Sequence, residues 1–351
     1  MPDTFITWSA PGRCGIVGNP SDMYGGSVIS CSTAERAYVT VEDSDVMEFD
    51  VAGQIYTVRS PEDLRQNGGM FDAILAAIEY FGLEGATLKI TSRSAIPVRA
   101  GLSGSTAVIT ALVAALLEWI DGTHKGSLLP YSDLWRQASR NRHMLAETVR
   151  HLELYFLRIV CGYQDAYMCV HGSLNFLDFH DKENYLSLKR EPLGTVEDLC
   201  EQIETVPFVL AHTGIQRVSG AVHKPVRDRW IEGDTDVVEG MLRLGHIARM
   251  SKRAMVTGDW EYLAESMTEN HEIISSLGSS SEINESIIRV ALDNGALAAK
   301  LAGAGKGGTV IALHPEPHSL EEAFRDAGVE TILYPEPADG VRREDIHALK
   351  A

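Results

Sequence analysis

The sequence predicts a fold of mixed helices and sheets, because strand-like and helix-like segments alternate along its 351 residues. Strands are indicated where β-branched and aromatic residues cluster between turn residues, as in Phe208–Ala211. Helices are indicated where apolar residues recur every three or four positions, as in Gly69–Phe81. The length suggests about two domains, since domains commonly span roughly 100–200 residues. No internal repeat and no low-complexity segment interrupts this pattern.

The individual elements follow from the same two periodicities. The predicted strands are Phe5–Trp8, Val28–Ser32, Ala37–Val41, Gln54–Val58, Thr87–Thr91, Leu174–Phe179, Phe208–Ala211, Thr309–Leu313 and Thr331–Tyr334. The predicted helices are Gly69–Phe81, Ser105–Glu118, Asp133–Leu157, Val222–Trp230, Thr235–Arg253, Trp260–Ser276 and Ile283–Asn294. The charged, irregular stretch Asp181–Val206 separates two groups of elements. We therefore expect an N-terminal domain over residues 1–205 and a C-terminal domain over residues 206–351.

The composition excludes several classes of protein. With 31 Lys and Arg against 49 Asp and Glu, the formal net charge is −18, which disfavours partners such as nucleic acid and anionic membrane. The longest apolar run, Ala107–Leu117, is too short to span a bilayer, and no secretory signal opens the chain. The five cysteines are odd in number and include no CxxC pair. We expect reduced thiols and a cytoplasmic protein.

Three glycine-rich segments stand out, and the first is Ala10–Gly26. It is interpreted either as a pair of turns between strands or as a functional loop. The functional interpretation rests on Arg13 and Asp22, a charged pair on a backbone that can approach a ligand closely.

The second glycine-rich segment, Ile96–Ala107, leads directly into an apolar helix. Small residues allow the backbone to surround an anion, and the N-terminus of the following helix supplies free N–H groups and a positive dipole. Ser105 and Thr106 occupy the start of that helix, where a hydroxyl can cap the helix or bind Mg²⁺. The segment matches neither a Walker A loop nor a Rossmann fingerprint. An ordinary helix cap is the simpler interpretation.

The third segment, Lys300–Thr309, lies between a predicted helix and a predicted strand. It holds four glycines within six positions, Gly303–Gly308. A tight connection between the helix and the strand would explain one of them. The others favour close approach of the backbone to a ligand or to another loop.

Taken together and in this order, the three segments resemble the motifs of the GHMP kinases, the family of galactokinase, homoserine kinase, mevalonate kinase and phosphomevalonate kinase. The matching stretches are Pro11–Gly26, Pro97–Ala107 and Gly303–Gly308. The resemblance implies an α+β fold, with an N-terminal ribosomal-S5-like α/β domain and a C-terminal α+β domain. It also implies a cleft between them that binds ATP and Mg²⁺.

Within that family the chain is most similar to the glucuronokinases, through the stretches Gly18–Asp22, Gly101–Ser105, Ser219–His223 and Val226–Asp234. A second similarity is to the heptose-7-phosphate kinases. It rests on Glu153, Gly162–Tyr167, Gly172 and Asn175–Phe176, and it departs from their doubled glycine because His171 precedes Gly172.

The resemblance implies roles for named residues on the nucleotide side. The residues expected to hold the nucleotide are Pro97, Gly101, Leu102, Ser103, Gly104, Ser105, Thr106, Ala107 and Gly305. Mg²⁺ is expected on Ser105 or Thr106 together with Glu153, with Glu147 as the reserve carboxylate, because Mg²⁺ prefers hard oxygen ligands. A solvated helix position is the alternative interpretation of Glu153.

On the acceptor side, the resemblance makes Asp165 the candidate base, in a short polar turn, with Arg13 as the cation beside it and the transferred phosphoryl group. A turn or cap aspartate is the plainer interpretation of Asp165. The expected substrate contacts are Asn19, Asp22, Tyr24, Gly25, Ser219, His223 and Arg227. A uronate carboxylate would need a cation, for which Arg99, Lys224, Arg227 and Arg229 are available.

The leading hypothesis is a kinase that transfers the γ-phosphoryl group of ATP to a monosaccharide, at the anomeric hydroxyl of D-glucuronate or a related uronic acid. Alternatives are a heptose-7-phosphate kinase, a mevalonate-type kinase, or a protein on the same fold that senses nucleotide or sugar without turnover. We expect a small-molecule substrate as partner and a monomer or homodimer.

Overall fold

Two β-sheets, each covered by helices, organise the chain. The computed structural model describes residues 5–123, 137–138, 140–182, 191–203, 205–215, 219–303, 305 and 308–345. The first sheet contains β1 (Ile6–Val17), β2 (Ser27–Asp43), β3 (Glu48–Val51), β4 (Gln54–Thr57), β5 (Leu88–Ser94), β6 (Leu174–Asp178), β7 (Thr195–Asp198) and β12 (Arg342–Glu344). The second contains β8 (Phe208–His212), β9 (Ala298–Leu301), β10 (Thr309–Leu313) and β11 (Thr331–Leu333). The predicted combination of helices and sheets is confirmed.

The helices divide in the same way. Those near the first sheet are α1 (Asp72–Phe81), α2 (Gly104–Thr123), α3 (Arg142–His151) and α4 (Gln164–His171). Those of the second half are α5 (Ser219–Ile231), α6 (Thr235–Thr257), α7 (Trp260–Ser276), α8 (Glu282–Asp293) and α9 (Glu321–Asp326). Short 3-10 helices occupy Ser21–Tyr24, Pro61–Leu64, Cys200–Gln202 and Pro317–Leu320, and one π-helical turn occupies Leu152–Phe156.

The strands of the first sheet run in the order β12-β1-β2-β5-β3-β4. In addition, β6 pairs with the first residues of β2, Ser27–Cys31, and β7 pairs with β6. The second sheet has the order β11-β8-β10-β9 and is antiparallel throughout. The chain leaves the first sheet after β7 and enters the second sheet at β8. The sequence suggests a domain boundary at the same place. The chain end then returns to the first sheet, because β12 pairs with β1.

Helix α2 forms the centre of the N-terminal core, with Leu112 and Leu116 fully buried. By length and apolar composition, the window Gly104–Gly122 would suit a membrane span, with a mean hydropathy of 1.4. However, 72% of that window is buried inside the protein, against β1 and β2. Its apolar surface is therefore accounted for by core packing.

Two predicted elements need correction. The segment Ala10–Val17, predicted as turns, belongs to strand β1, whose register shifts at Pro11–Arg13 and Gly15–Val17 accommodate the glycines as bulges. The single helix predicted over Asp133–Leu157 is not continuous, because residues 140–141 are not helical and α3 begins at Arg142, where the Asn141 side chain accepts hydrogen bonds from two backbone N–H groups. Residues 133–136 and 139 of that prediction lie outside the described residues.

A buried network of ion pairs fastens α4 to α3 and to the segment after β6. The ammonium of Lys182 lies 2.8 Å from Glu147 Oε1 and 3.3 Å from Glu191 Oε2, and it donates to the Pro192 carbonyl. The guanidinium of Arg150 lies over the ring of Tyr163, 3.8 Å from its centroid. These side chains are almost entirely inaccessible to solvent. Because two cations face two carboxylates, the network balances its own charge.

We predict that Lys182→Met lowers the free energy of unfolding by about 3–5 kcal/mol, because it leaves Glu147 and Glu191 buried with only Arg150 to compensate them. The matched control is Lys89→Met, since Lys89 pairs with Glu48 at 3.0 Å but is one-third exposed. An exposed pair of that kind contributes about 0–1 kcal/mol. Urea unfolding of both variants measures the difference, and equal losses would contradict the prediction.

Candidate active site

Strand β1 bonds to both of the other glycine-rich segments, so all three segments meet. The backbone N–H of Arg13 donates to the Leu102 carbonyl at 3.1 Å, and that of Gly15 donates to the Ala302 carbonyl at 2.9 Å. The hydroxyl of Thr309 donates to the Ala100 carbonyl at 2.9 Å. The structure thus brings together residues that lie about 90 to 290 positions apart, and their shared surface is the candidate site.

The guanidinium of Arg13 joins the second glycine segment to Asp165. Its Nη1 donates to the Gly101 carbonyl at 2.7 Å, and its Nε donates to Asp165 Oδ1 at 2.9 Å. Burial alone would lower the pKa of Arg13, but the charge and hydrogen bonds of Asp165 outweigh it and raise that pKa. Arg13 is buried, whereas one-third of the Asp165 side chain is exposed. Asp165 is therefore a partly exposed carboxylate, and the buried guanidinium of Arg13 fixes its position.

Asp165 lies in the first turn of α4, which corrects the prediction of a free polar turn. Asp22 holds the start of this helix, because its Oδ2 accepts from the backbone N–H groups of Tyr163 at 2.8 Å and Gln164 at 2.9 Å. Burial is the largest cause of the raised pKa of Asp22, and the charge of Asp165 adds to it. Gly162 is required here, since a Cβ at that position would lie 2.0 Å from Asp22 Oδ2.

A second pair forms at the start of α2. The hydroxyl of Thr106 donates to Glu153 Oε1 at 2.7 Å, and both side chains are buried, whereas Ser105 is exposed. Burial raises the pKa of Glu153 to about 8, although the hydrogen bond from Thr106 opposes that rise. The reserve carboxylate, Glu147, lies instead in the buried ion network with Lys182.

The loop before α2 has the backbone of an anion cradle. Gly101 has a φ of 81° and Ser103 a φ of 58°, so both lie in the left-handed region. The Ser103 hydroxyl is buried and has no hydrogen-bond partner. An unpartnered buried donor in such a turn fits a ligand oxygen. Pro97 and Gly104 flank this turn, while Leu102 and Ala107 are buried behind it.

The third glycine-rich segment packs against the C-terminal helices at Gly305. Gly305 has a φ of 91°, and a Cβ there would lie 1.9 Å from the Ser279 carbonyl oxygen, so the loop packs closely on the connection between α7 and α8. Ala304, Lys306 and Gly307 lie outside the described residues.

The predicted substrate residues take different positions. Asn19 is buried, and its Oδ1 accepts from Lys300. The ring of Tyr24 packs on Trp230 with 4.6 Å between centroids, and Gly25 contacts the backbone of Lys182. On α5, His223 and Arg227 are half-buried, and the side chain of Ser219 lies outside the described residues. Burial is the largest cause of the raised pKa of Tyr24, the charge of Asp22 adds to it, and the charge of Arg227 opposes it.

The residues present fit Mg²⁺ with two protein ligands. Among the described residues, no group of three or more His, Cys, Asp and Glu side chains is arranged to hold a metal ion. Mg²⁺ bound with a nucleotide commonly uses one or two protein oxygens and takes its other ligands from phosphates and water. The Thr106 hydroxyl and the Glu153 carboxylate supply such a pair.

The sequence analysis does not identify two polar residues that the structure brings into this region. Lys300 was noted only as the start of a glycine segment, and Asn270, which contacts Gly18 and Asn19, was not singled out. A charged residue and an amide in otherwise apolar or helical sequence gave little signal, because their partners lie some 250–285 positions away.

Comparison with known proteins supports the family resemblance. A family model described as the GHMP kinases N-terminal domain matches residues 69–173, and one described as GHMP kinases C terminal matches residues 251–328. Among curated proteins, glucuronokinase 1 of Arabidopsis thaliana is 28% identical over 341 residues, covering 90% of this chain and 88% of that protein. The D-glycero-alpha-D-manno-heptose 7-phosphate kinase of Campylobacter jejuni is 24% identical over 319 residues, a match that covers 86% of this chain and 87% of that protein.

A solved structure from Listeria innocua has the same fold, with a TM-score of 0.76 and 19% sequence identity over 97% of this chain and all of that one. The α+β fold that the resemblance implied is thereby confirmed. The two family models together match just over half of the sequence, in the order of its two sheets. The chain belongs to the GHMP kinase family.

Proposed function

We propose that this protein is an ATP-dependent sugar kinase that phosphorylates the anomeric hydroxyl of D-glucuronate or a related uronic acid. One observation carries the phosphoryl-transfer part of the proposal. A single buried guanidinium, Arg13, bonds both the Gly101 carbonyl of the cradle loop and the partly exposed Asp165. A cation between an anion cradle and a carboxylate is the arrangement that transfer to a hydroxyl needs.

The cradle loop and the start of α2 would hold the triphosphate of ATP. The N–H groups at the start of α2 and the unpartnered hydroxyl of Ser103 offer donors to phosphate oxygens. Thr106 and Glu153 would hold Mg²⁺, which when bound neutralises charge on the phosphates. On the other side of the cleft, Gly305 allows the third loop to approach closely.

Asp165 would accept the proton of the attacking hydroxyl. Its partly exposed side chain can reach a substrate, while α4 and Arg13 fix its position. Arg13 would stabilise the negative charge that develops on the phosphoryl oxygens, because guanidinium remains charged even when buried. Some kinases of this family rely on positioning without an acidic base, so the size of the Asp165 contribution distinguishes the two mechanisms.

Arg227 supports a substrate with a carboxylate. It is half-buried, its charge acts on the Tyr24 phenol, and it forms no ion pair with any residue that the structure describes. Its neighbour Arg229 differs, because it pairs with Asp234 at 2.8 Å. A half-buried guanidinium beside the proposed acceptor site suits a uronate. The 28% identity to a glucuronokinase supports the same substrate class.

A heptose 7-phosphate is the second candidate, supported by the similarity to the Campylobacter jejuni kinase. The same Arg227 would then face a phosphate rather than a carboxylate. A nucleotide- or sugar-sensing role without turnover is the third, and it would make Asp165 dispensable. In each case we propose a cytoplasmic monomer or homodimer.

We predict that Asp165→Asn lowers kcat by about 10²- to 10⁴-fold, the usual contribution of a positioned base, while Mg·ATP still binds. ADP release would be measured with glucuronate, galacturonate, galactose, heptose 7-phosphate and mevalonate, and nucleotide binding by calorimetry. Asp293→Asn, an exposed carboxylate on α8, is the matched control and should keep kcat within twofold. Nucleotide binding without turnover in the wild type would support the sensor hypothesis instead.

We predict that Arg227→Gln raises KM for glucuronate roughly tenfold or more, because a charge-assisted hydrogen bond contributes about 1.5–3 kcal/mol. KM for a neutral sugar such as galactose should change less than threefold. Arg229→Gln on the same helix is the control and should affect neither. Equal losses for charged and neutral acceptors would show that Arg227 does not select the carboxylate.

A further inference from the structure

Lys300 is a buried cation without an anionic partner. Its side chain is fully inaccessible, and no carboxylate among the described residues lies within ion-pair distance of it. Buried lysines are rare unless they are paired, because an isolated charge is costly to remove from water. The contrast with Lys182, which faces two carboxylates, makes the isolation of Lys300 a feature to explain.

The atoms around Lys300 suit an ammonium rather than a neutral amine. Its Nζ lies 2.8 Å from Asn19 Oδ1, 2.6 Å from the Leu301 carbonyl oxygen and 3.5 Å from the Gly15 carbonyl oxygen. An ammonium has three N–H donors for three oxygens, whereas a neutral amine has two donors and would direct its lone pair at the third. The charge also sets the orientation of the Asn19 amide, because the opposite orientation would turn its NH₂ group toward Nζ.

These contacts connect the two halves of the site. Lys300 lies at the end of β9 that leads into the third glycine segment, and Gly15 lies two residues beyond Arg13 on β1. Asn19 is also held from the other side, because Asn270 of α7 donates to its backbone carbonyl at 3.2 Å. The Gly15 N–H in turn donates to the Ala302 carbonyl. Movement of Lys300 would therefore shift β1 relative to the third loop.

We propose that Lys300 is a positioning residue for phosphoryl transfer, whose ammonium form holds Asn19 and the Arg13 end of β1 in register with the third glycine loop. This inference rests on the proposed kinase function. Because the chain leaves this cation uncompensated, its charge also favours the anionic nucleotide in a protein whose net charge is −18.

The charged form can be tested because Lys300 loses its proton within an accessible pH range. Burial lowers the pKa of Lys300 to about 7, with Cys14 opposing and Arg13 adding to that effect. The other titratable or charged groups that face it are Cys14 and Arg13 on β1 and His271 on α7. Burial raises the pKa of Cys14 to about 12 and lowers that of His271, and Arg13 stays charged. Between about pH 7 and 10, the titrating member of this group is Lys300.

The first experiment is the pH dependence of kcat/KM for wild type, Lys300→Met and the control Lys89→Met. We expect wild-type kcat/KM to fall about tenfold per pH unit above the pKa of Lys300. Lys300→Met should be at least tenfold less active at pH 7 and should lack this alkaline fall, while Lys89→Met follows wild type. Activity of Lys300→Met within twofold of wild type, or parallel profiles of the two, would overturn the proposal.

A second variant covers the case in which Lys300→Met does not fold. Asn19→Asp places a carboxylate where the amide oxygen lies, 2.8 Å from Nζ, and should raise the pKa of Lys300. The alkaline fall of kcat/KM should then move upward by more than one pH unit. An unchanged midpoint would contradict the role of the ammonium.

Unfolding measurements separate failure of this inference from failure of the proposed function. The unfolded chain keeps the lysine proton to about pH 10.5, whereas the folded protein releases it near pH 7. Wild-type stability relative to Lys300→Met should therefore rise between those values. If no acceptor is phosphorylated but this rise is seen, the function is wrong and the buried ammonium stands. A rise that already begins well below pH 7 would show that the folded protein holds the neutral amine at working pH, and it would refute the buried ammonium.

Discussion

The hydrogen bonds of the buried Arg13 guanidinium are the interaction on which the site depends. They extend from β1, the second strand from one edge of the first sheet, to the Gly101 carbonyl and to Asp165. Since the guanidinium is planar and its donors have fixed directions, it sets the distance between cradle loop and carboxylate. Helix α4, which carries Asp165, is in turn held by Asp22 at its first backbone N–H groups. The arrangement of the cradle loop and Asp165 therefore depends on Arg13, a residue of strand β1.

The contacts of strand β1 explain why the three segments are rich in glycine. Gly15 and the bulges of β1 let its backbone bond to both Leu102 and Ala302. Bulky side chains would separate these three stretches, and a Cβ on Gly15 would already lie 2.7 Å from the Asn19 amide. Close backbone packing explains why loops so distant in sequence share one composition. It also leaves the buried Ser103 hydroxyl without a protein partner.

Much of the fold could be predicted from periodicity, because α7 and β10 have long, regular apolar patterns bounded by turn residues. Strand β1 was predicted too short, since Pro11 and the neighbouring glycines resemble a turn when their strand partners are unknown. For the site, local composition indicated the cradle loop and the resemblance indicated Asp165. The contacts of Asp22 and Lys300 depend on residues more than 100 positions away, and no local pattern encodes them.

The buried cations differ in how far the protein compensates them. Lys182, beneath α4, is balanced by two fully buried carboxylates, which suits a structural role. The charge of Arg13 is compensated by Asp165, whose side chain is one-third exposed to solvent at the surface where a substrate would bind. Lys300 has only neutral oxygens around it. A protein of net charge −18 that leaves positive charge unbalanced at one place reduces the electrostatic cost of gathering phosphates there. The incomplete pairing is therefore best understood as part of the site, because a merely structural lysine would be more stable with a carboxylate beside it.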